Sequence, residues 1–426
     1  MKRFSFLAIA AAMAALLIGC SVPKATAQVL KSDKPRDTSP KISADTTSAL
    51  VDGNTAFALG LYKLVRTTEG NLFFSPYSIS DAMAMTWAGA RGQTETDIAT
   101  AMHFTLPQSQ LHPALNKLDL DLASRGQGAK GKDGEGFRLH VVNAIWGQQG
   151  FKFTPQYLDT LATNYGAGLR VLDFIKQTEP SRITINDWVA QQTENRIKDL
   201  IPAGAINNLT RLVLTNAIYF NAAWAQPFQK GATTQGTFHR LDGSDVSVSM
   251  MRQTQSFRYS EGANYQATEL PYDGRELSMI VILPRAGAFA DFEQSFDSRI
   301  LKTIVDGLTS REVALTMPKF GFETSMSLKQ NLTALGMGNA FTDSADFSGM
   351  DGARDLRIQD VIHKAYVAVD EDGTEAAAAS AVIVGTTALP SDTAEMKVDR
   401  PFLFLIRDNP TGTVLFLGRV SDPSTK

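Results

Sequence analysis

The sequence predicts a globular α+β fold. The order of its elements predicts the class, and its composition predicts a globular core. Segments with helical periodicity and segments with strand character follow one another without the regular strand-helix-strand rhythm of a doubly wound sheet. Hydrophobic residues make up 43% of the 426-residue chain, which is enough for a sizeable core. A net charge of −3 does not indicate binding to a polyanion, so nucleic-acid binding is not expected. Length alone suggests two or three domains, although large mixed folds also form single domains.

The amino terminus has the pattern of a targeting segment. Two basic residues precede an apolar run over residues 4–18, which is shorter than the roughly 20 residues that a membrane-spanning helix needs. The run ends in Leu-Ile-Gly-Cys at residues 17–20, which resembles a bacterial lipobox. In that motif the chain is cut before the cysteine, and the new amino-terminal cysteine is acylated.

Cys20 is the sole cysteine of the chain and lies at the position that the motif requires. We therefore predict a signal peptide over residues 1–19 and a lipid anchor at Cys20 that holds the protein in the cell envelope. Ser21 after the cysteine resembles an outer-membrane sorting signal. The alternative is ordinary signal cleavage after Ala27, which ends a small-x-small pattern. In either case the folded part contains neither a disulfide nor a thiol nucleophile.

Residues 20–48 are rich in Ser, Thr, Pro, Lys and Asp, and we predict that they form a flexible tether to a folded domain over residues 49–426. The first predicted helix, over residues 54–67, has apolar side chains at helical spacing. A helix over residues 154–165 begins with Thr154 as a cap and Pro155 in the first position, and one over residues 327–335 ends at a glycine. Further helices are predicted over residues 80–89 and 182–199.

Strands are predicted where β-branched and aromatic residues cluster. They cover residues 72–74, 137–146, 211–224, 313–320 and 357–369, with a strand-rich block over residues 246–283.

The stretch from Val369 to Pro390 has conflicting preferences. Ala376–Ala379 favour a helix and Val382–Val384 favour a strand, and no apolar stripe tells a helix which face to bury. Read as a strand, its period of two gives one face that is small, uncharged and able to be buried. That face consists of Thr374, Ala376, Ala378, Ser380, Val382 and Val384. A segment with such mixed preferences is a candidate for two conformations.

An enzymatic function finds no support in the sequence. The folded part lacks the Gly-x-Ser-x-Gly, His-Glu-x-x-His and Ser-x-x-Lys patterns. The five histidines are scattered without metal-ligand spacing. We therefore predict that the protein is not an enzyme and that it uses neither a metal nor another cofactor.

The segment Glu371-Asp372-Gly373-Thr374-Glu375, followed by the four alanines Ala376, Ala377, Ala378 and Ala379, resembles the hinge of the inhibitory serpins. Four further blocks resemble serpin segments in the same order along the chain, over residues 71–80, 214–224, 398–406 and 414–420. The resemblance covers nearly everything from residue 49 onward. It implies one monomeric domain with three β-sheets, eight or nine helices and an exposed reactive-centre loop.

The resemblance also implies a function, namely irreversible suicide-substrate inhibition of serine, and secondarily cysteine, endopeptidases. A protease cuts the loop and forms an acyl-enzyme. The cut loop then inserts as a strand between the strand ending at Trp224 and the strand leading into Gly373. About fourteen residues at roughly 3.3 Å each would carry the protease some 45 Å. The alternative is a serpin fold without inhibition, but the hinge has no charged, bulky or proline residue on its inward face, which favours an inhibitor.

By the family's count from Gly373, the reactive bond joins Thr387 and Ala388, with a possible slip of one or two residues. The residues before it offer no cation for a trypsin-like pocket and no aromatic ring for a deep apolar one. A small-pocket protease is therefore implied, either elastase-like or subtilisin-like. Papain-like cysteine proteases are the less favoured alternative.

Supporting residues follow from the same resemblance. Ser75, Ser78, Asn216 and His363 match a polar cluster under the opening of the central sheet, and Trp224 lies near the upper end of that opening. Lys319 and Glu371 match an ion pair at the top of the sheet. Thr374 is expected at the exposed root of the loop before cleavage.

Overall fold

A computed structural model of the chain describes residues 24–131, 134, 136–374 and 392–425. In these residues ten α-helical segments are present, two of them a single turn long. The helices are α1 Ala44–Val65, α2 Pro76–Trp87, α3 Gly92–Ala101, α4 Gln108–Ala123, α5 Pro155–Tyr165, α6 Thr178–Gln192, α7 Phe289–Ser295, α8 Ser298–Asp306, α9 Lys329–Leu332 and α10 Ser348–Asp351.

The described residues also contain sixteen strands. They are β1 Gln28–Leu30, β2 Leu72–Phe74, β3 Arg138–Gln148, β4 Leu169–Leu172, β5 Leu212–Ala223, β6 Thr234–His239, β7 Asp245–Glu261, β8 Tyr265–Pro271, β9 Leu277–Pro284, β10 Thr309–Pro318, β11 Phe320–Ser327, β12 Ile358–Val369, β13 Gly373–Thr374, β14 Ala394–Lys397, β15 Phe402–Asp408 and β16 Val414–Val420.

The strands of the described part form two large sheets. The first has seven strands in the order β1-β4-β3-β5-β13-β12-β11, and the second has nine strands in the order β14-β10-β7-β8-β9-β15-β16-β2, with β6 beside β7. The α+β class predicted from the sequence is confirmed. The resemblance implied three sheets, but the 17-residue strand β7 pairs with β6, β8 and β10 and so joins the second and third into one.

The helix count exceeds the expected eight or nine because α9 and α10, of four residues each, are included. The main core lies between the two sheets, and α2 is buried in it along nearly its whole length. A smaller apolar core lies on the other face of the seven-stranded sheet, beneath α6. The described residues include no helix that is long and apolar enough to span a membrane.

The predicted tether over residues 20–48 requires a correction for the part that the structure describes. Strand β1 pairs antiparallel with β4 at the edge of the seven-stranded sheet, and α1 begins at Ala44. The polar composition misled the prediction, because Ser, Lys and Arg side chains of this segment bond to the domain instead of to water alone. The predicted signal peptide over residues 1–19 lies outside the described residues.

Candidate functional site

The two central strands of the seven-stranded sheet, β5 and β12, are paired at one end and separated at the other. We call the paired end the lower end and the separated end, next to Gly373, the upper end or top. Strands β5 and β12 pair directly and in parallel in their lower part, from Leu212 opposite Ile358 to Ile218 opposite Ala365. Above that level they separate, and β13 fits between them, antiparallel to both. Thr374 lies opposite Ala222 of β5 and opposite Val369 of β12. The first residues of the hinge, Gly373 and Thr374, therefore already form a strand inside the sheet.

The structure corrects the expectation that Thr374 is exposed. Its side chain is 1% exposed, and its hydroxyl is bonded to the hydroxyl of Tyr272 at 2.8 Å. Burial raises the pKa of the Tyr272 phenol, so the phenol stays protonated and is able to donate. Tyr272 in turn stacks on Trp224 with ring centroids 4.6 Å apart. The first hinge residue is thus packed into the sheet before any cleavage.

Gly373 allows this close approach. A β-carbon at position 373 would lie 2.1 Å from the carbonyl oxygen of Ala222 and 2.8 Å from the α-carbon of Ala223. Both contacts are with backbone, which has little freedom to move. A larger residue would therefore push β13 away from β5.

The turn before the hinge is fastened at several points. The backbone amide of Trp224 donates to the Asp372 carbonyl at 2.9 Å, and its indole N–H donates to the Asp370 carbonyl at 2.9 Å. The amide of Phe228 donates to the Glu371 carbonyl at 2.8 Å. The predicted position of Trp224 at the upper end of the opening agrees with this arrangement.

Glu371 and Lys319 lie together, as the resemblance implied. The Lys319 ammonium is 2.7 Å from one carboxylate oxygen of Glu371, and the Thr233 hydroxyl donates to the other at 2.7 Å. The Glu371 side chain is only 5% exposed. Burial alone would raise the pKa of the Glu371 carboxyl, but the hydrogen bonds from Lys319 and Thr233 outweigh it and lower the pKa overall. Glu371 is therefore held as a carboxylate.

A polar network lies lower in the sheet, where β5 and β12 are still paired. Asn216 of β5 donates to the Ser78 hydroxyl at 2.6 Å and to the side-chain oxygen of Asn143 on β3 at 2.6 Å. Ser75 caps α2 by accepting the amide of Ser78, and its own hydroxyl donates to the Leu415 carbonyl at 2.6 Å. The amino-terminal end of α2 thus lies directly beneath the central strands.

His363 links the network to β12. Its Nε2 accepts the backbone N–H of Ser75 at 3.2 Å, so the proton resides on Nδ1, which donates to the side-chain oxygen of Asn216. Burial lowers the pKa of His363 from 6.5 to about 3. The ring is therefore neutral at physiological pH. Because His363 and Asn216 sit opposite each other on β12 and β5, any strand that enters between these two must break their bond.

The remaining predicted site residues lie outside the described residues. These are Glu375, Ala376, Ala377, Ala378 and Ala379 of the hinge, Thr387 and Ala388 of the reactive bond, and Cys20.

Sequence reasoning missed three side chains that complete the site. Thr233 and Tyr272 hold the hinge from the second sheet and its connections, and Asn143 joins the lower network from β3. Asn143 also donates to Asp81 at 2.9 Å; burial and the nearby Asp119 raise the pKa of Asp81 to about 7. None of these residues is close in sequence to its partner, and no local pattern marks them. Within the described chain no group of three His, Cys, Asp or Glu side chains is placed to hold a metal.

Comparison with known proteins agrees with this architecture. Residues 52–423 match the family described as serpin (serine protease inhibitor). The leukocyte elastase inhibitor of Homo sapiens is 39% identical over 394 residues, covering 88% of this chain and 99% of that protein. An uncharacterized serpin-like protein of Thermococcus kodakarensis is 38% identical over 377 residues, covering 88% of this chain and 86% of that protein.

Solved structures give the same answer for the fold. The thermophilic serpin tengpin in its native state superposes with a TM-score of 0.81 at 25% identity, covering 93% of this chain and 99% of that one. Uncleaved ovalbumin superposes with a TM-score of 0.78 at 25% identity, covering 88% and 100%. The chain therefore belongs to the serpin family of protease inhibitors, and it is not an enzyme.

Proposed function

We propose that this serpin is an irreversible suicide-substrate inhibitor of serine endopeptidases, which traps the acyl-enzyme by inserting its cleaved loop between β5 and β12. One observation carries the proposal: Thr374 is already paired as a strand between these two strands. Insertion then requires no new site, because it continues a ladder that has begun.

The observed register shows where later residues would go. Continuing the antiparallel pairing of Thr374 with Ala222 puts Ala376 opposite Phe220 and Ser380 opposite Asn216. Phe220 and Ala222 face the main core, so the small, uncharged face of the loop would be the one that packs against this core. Ser380 would meet the polar network rather than an apolar wall. The alternation read from the sequence thus matches the environment along β5.

Hydrogen bonding favours the inserted state. Direct pairing of β5 with β12 is parallel and has a register shift between Ile358 and Val361. An inserted strand would replace this single parallel ladder by two antiparallel ladders, and antiparallel pairing is somewhat more stable per residue. The seven-stranded sheet would gain paired backbone groups along its whole length.

The displacement is large enough to disable a protease. Strands β5 and β12 contain 12 residues each, so full insertion moves the attached enzyme by about 40 Å. A pull of this size distorts the oxyanion hole and the catalytic triad, on whose geometry hydrolysis of the acyl-enzyme depends. The protease would remain covalently attached.

The proposed target is a small-pocket protease, elastase-like or subtilisin-like. The proposed reactive bond, Thr387–Ala388, follows Val384, Gly385 and Thr386, which are small or β-branched and uncharged. Similarity to proteins named as leukocyte elastase inhibitors, at 37 to 39% identity, supports the same class. The reactive-loop residues themselves lie outside the described residues.

We further propose that the protein is a lipoprotein of the cell envelope, anchored through Cys20. The lipobox-like sequence and the absence of any other cysteine support this. A diacylglyceryl-plus-acyl anchor buries enough CH₂ groups for stable attachment. Cys20→Ser should leave a soluble, folded inhibitor. A Cys20→Ser protein that still fractionates with membranes would contradict the anchor.

The direct test is incubation of the purified chain with pancreatic elastase and with subtilisin, followed by denaturing electrophoresis. We expect a complex that resists SDS and has the summed mass of the protease and the cleaved inhibitor, less the released carboxy-terminal peptide. Mass spectrometry of that peptide gives the reactive bond. Complete cleavage with full recovery of protease activity would show a substrate instead of an inhibitor.

A further inference from the structure

The segment before α1 forms what we call the N-terminal clasp, residues 24–37. At its start the Thr184 hydroxyl of α6 donates to the Ala25 carbonyl at 2.8 Å, and the Ala25 side chain is 7% exposed within the small core beneath α6. Strand β1 follows and pairs with β4. Gly168, just before β4, makes this possible, because a β-carbon there would lie 2.6 Å from the Leu30 carbonyl oxygen.

The clasp continues across two more helices. The Ser32 hydroxyl donates to Asp159 of α5 at 2.5 Å, and the Asp37 amide donates to the carbonyl of Thr163, also on α5, at 2.9 Å. The Arg36 guanidinium bonds Asn116 of α4 at 2.8 Å. A single strip of chain therefore joins α6, the edge of the sheet, α5 and α4.

Charge complementarity links the clasp to all three helices. Three of the four cations of the clasp each meet a carboxylate on a different helix. The pairs are Lys24 with Asp187 of α6 at 2.5 Å, Lys34 with Asp159 of α5 at 2.8 Å and Arg36 with Asp119 of α4 at 2.5 Å. In contrast, Lys31 and Lys41 are exposed and make no ion pair within the part of the chain that the structure describes.

Helix α6 covers the place where a strand would have to enter. Its Ile185 and Val189 belong to an apolar cluster with Ala217 of β5 and Ile362 of β12. The chain after α6 also reaches across to β12, where the Lys364 ammonium donates to the Lys198 carbonyl at 2.6 Å. A strand that separates β5 from β12 must therefore loosen α6 and the segment that follows it.

We propose that the N-terminal clasp holds α6 against the sheet and thereby slows the separation of β5 from β12 in the uncleaved protein. We call the line along which these two strands meet the β5–β12 seam. This inference rests on the proposed insertion mechanism. It states that residues before the first helix control how fast the two strands separate. Partly exposed ion pairs are individually weak and are screened by salt. The clasp is therefore suited to adjust the rate of opening without deciding whether the domain folds.

The test compares two double variants of the full chain that lose the same charge. Lys24→Ala with Lys34→Ala removes two ion pairs of the clasp, whereas Lys31→Ala with Lys41→Ala removes two cations that make none. A third variant, Gly168→Ala, places a β-carbon too close to the Leu30 carbonyl oxygen of β1 and leaves every clasp residue intact. Two quantities are measured at moderately raised temperature: hydrogen exchange of the peptides covering β5 and β12, and the rate at which uncleaved protein loses inhibitory capacity.

We expect both rates to rise at least about fivefold in the Lys24/Lys34 variant and in Gly168→Ala, with the Lys31/Lys41 variant like the parent. Raising the salt concentration should move the parent towards the Lys24/Lys34 variant. Equal exchange in the parent and all three variants would overturn the clasp, as would equal acceleration by both double variants. Hydrogen exchange needs no protease. A parent that inhibits no protease would therefore refute the proposed function, while the exchange comparison still decides the clasp.

Discussion

The upper and lower halves of the β5–β12 seam differ in nearly every respect. At the top the strands are apart, and the gap is filled by Gly373 and Thr374, with the charged Glu371 beside it. Below, the strands are paired directly over a neutral network centred on Asn216 and His363. In the proposed mechanism, the top corresponds to an insertion already started, and the lower seam is the part that would resist its continuation.

This difference separates two kinds of control. Groups at the top hold the first residues of the hinge in place, and they include two ion pairs, Glu371 with Lys319 and Asp372 with Lys230, and the hydroxyl pair of Thr374 with Tyr272. In the proposed mechanism, groups in the lower seam would decide how far an inserting strand proceeds, because their buried hydrogen bonds would have to be broken. Mutations in the two halves should therefore have different signatures.

The largest effect is expected at the top from Glu371→Lys. The new ammonium would lie beside Lys319 in a site where the present side chain is 5% exposed, although the Lys319 side chain is 38% exposed. The cost should therefore be about 3 kcal/mol, at the lower end of the range for a fully buried pair. We expect a matching loss in the free energy of unfolding. Loss of monomer on size-exclusion chromatography should also follow mild heating, because the loosened gap can accept a loop from another molecule.

Glu371→Gln is the matched control for this variant, since it removes the charge without bringing two cations together. It should lie between the parent and Glu371→Lys in both measurements. A Glu371→Lys protein that remains monomeric and as stable as the parent would show that the top of the seam does not guard against association.

A medium effect is expected in the lower seam, from the pH dependence that His363 confers. The folded state keeps His363 neutral down to about pH 3, whereas its ordinary pKa is 6.5. Between these values the unfolded chain binds more protons, so stability is fully present above about pH 6.5 and is lost as the pH falls towards 3. The slope from one such group is at most about 1.4 kcal/mol per pH unit.

His363→Gln should therefore be less stable than the parent by about 1–3 kcal/mol at pH 7, and this difference should shrink as the pH is lowered. Urea unfolding between pH 4.5 and 7 measures it. His239, whose side chain is 55% exposed, provides the control His239→Gln. A stability difference that stays constant with pH would show that His363 is not held neutral by the network.

The smallest effect is expected from Thr374→Val, which keeps the shape of the side chain but removes the hydroxyl bonded to Tyr272. The loss should be about 1 kcal/mol, with faster hydrogen exchange at Ala222 and Ala223. Thr374→Ser retains the hydroxyl and should stay close to the parent. If Val and Ser behave alike, the bond to Tyr272 does not hold the hinge.

The sequence predicted the seam better than its surroundings. Strands 211–224 and 357–369 were placed within about one residue of β5 and β12 because runs of β-branched and aromatic residues mark buried strands. The helices α3, α4, α7 and α8 were missed, as were the short strands β4, β6 and β14. All of these elements except α4 are ten residues long or shorter, and their positions depend on contacts with distant parts of the chain.

The two errors that matter for function have one physical origin. Polar composition predicts a tether over residues 20–48, and the position of Thr374 at the root of a loop predicts an exposed side chain. In both cases distant partners bury or bind the polar groups: Asp159 and Asp119 bind the clasp, and Tyr272 binds Thr374. Composition records that a segment is polar, but it does not record which groups of the fold will meet it.

The central claim is that inhibition depends on burying one face of the loop as a strand. Ala376→Arg and Ala377→Arg make the same chemical change at adjacent positions. Continuing the register of Thr374 with Ala222 would put them on opposite faces of the inserted strand, with Ala376 opposite the core residue Phe220. The measurement is the number of inhibitor molecules consumed per protease molecule inactivated. We expect Ala376→Arg to raise this number by more than about tenfold, because an unpaired buried guanidinium stalls insertion and hydrolysis then releases the protease. Ala377→Arg should raise it less, because residue 377 would lie on the face of the inserted strand that points away from the main core. Equal values for the two variants would contradict insertion as the mechanism.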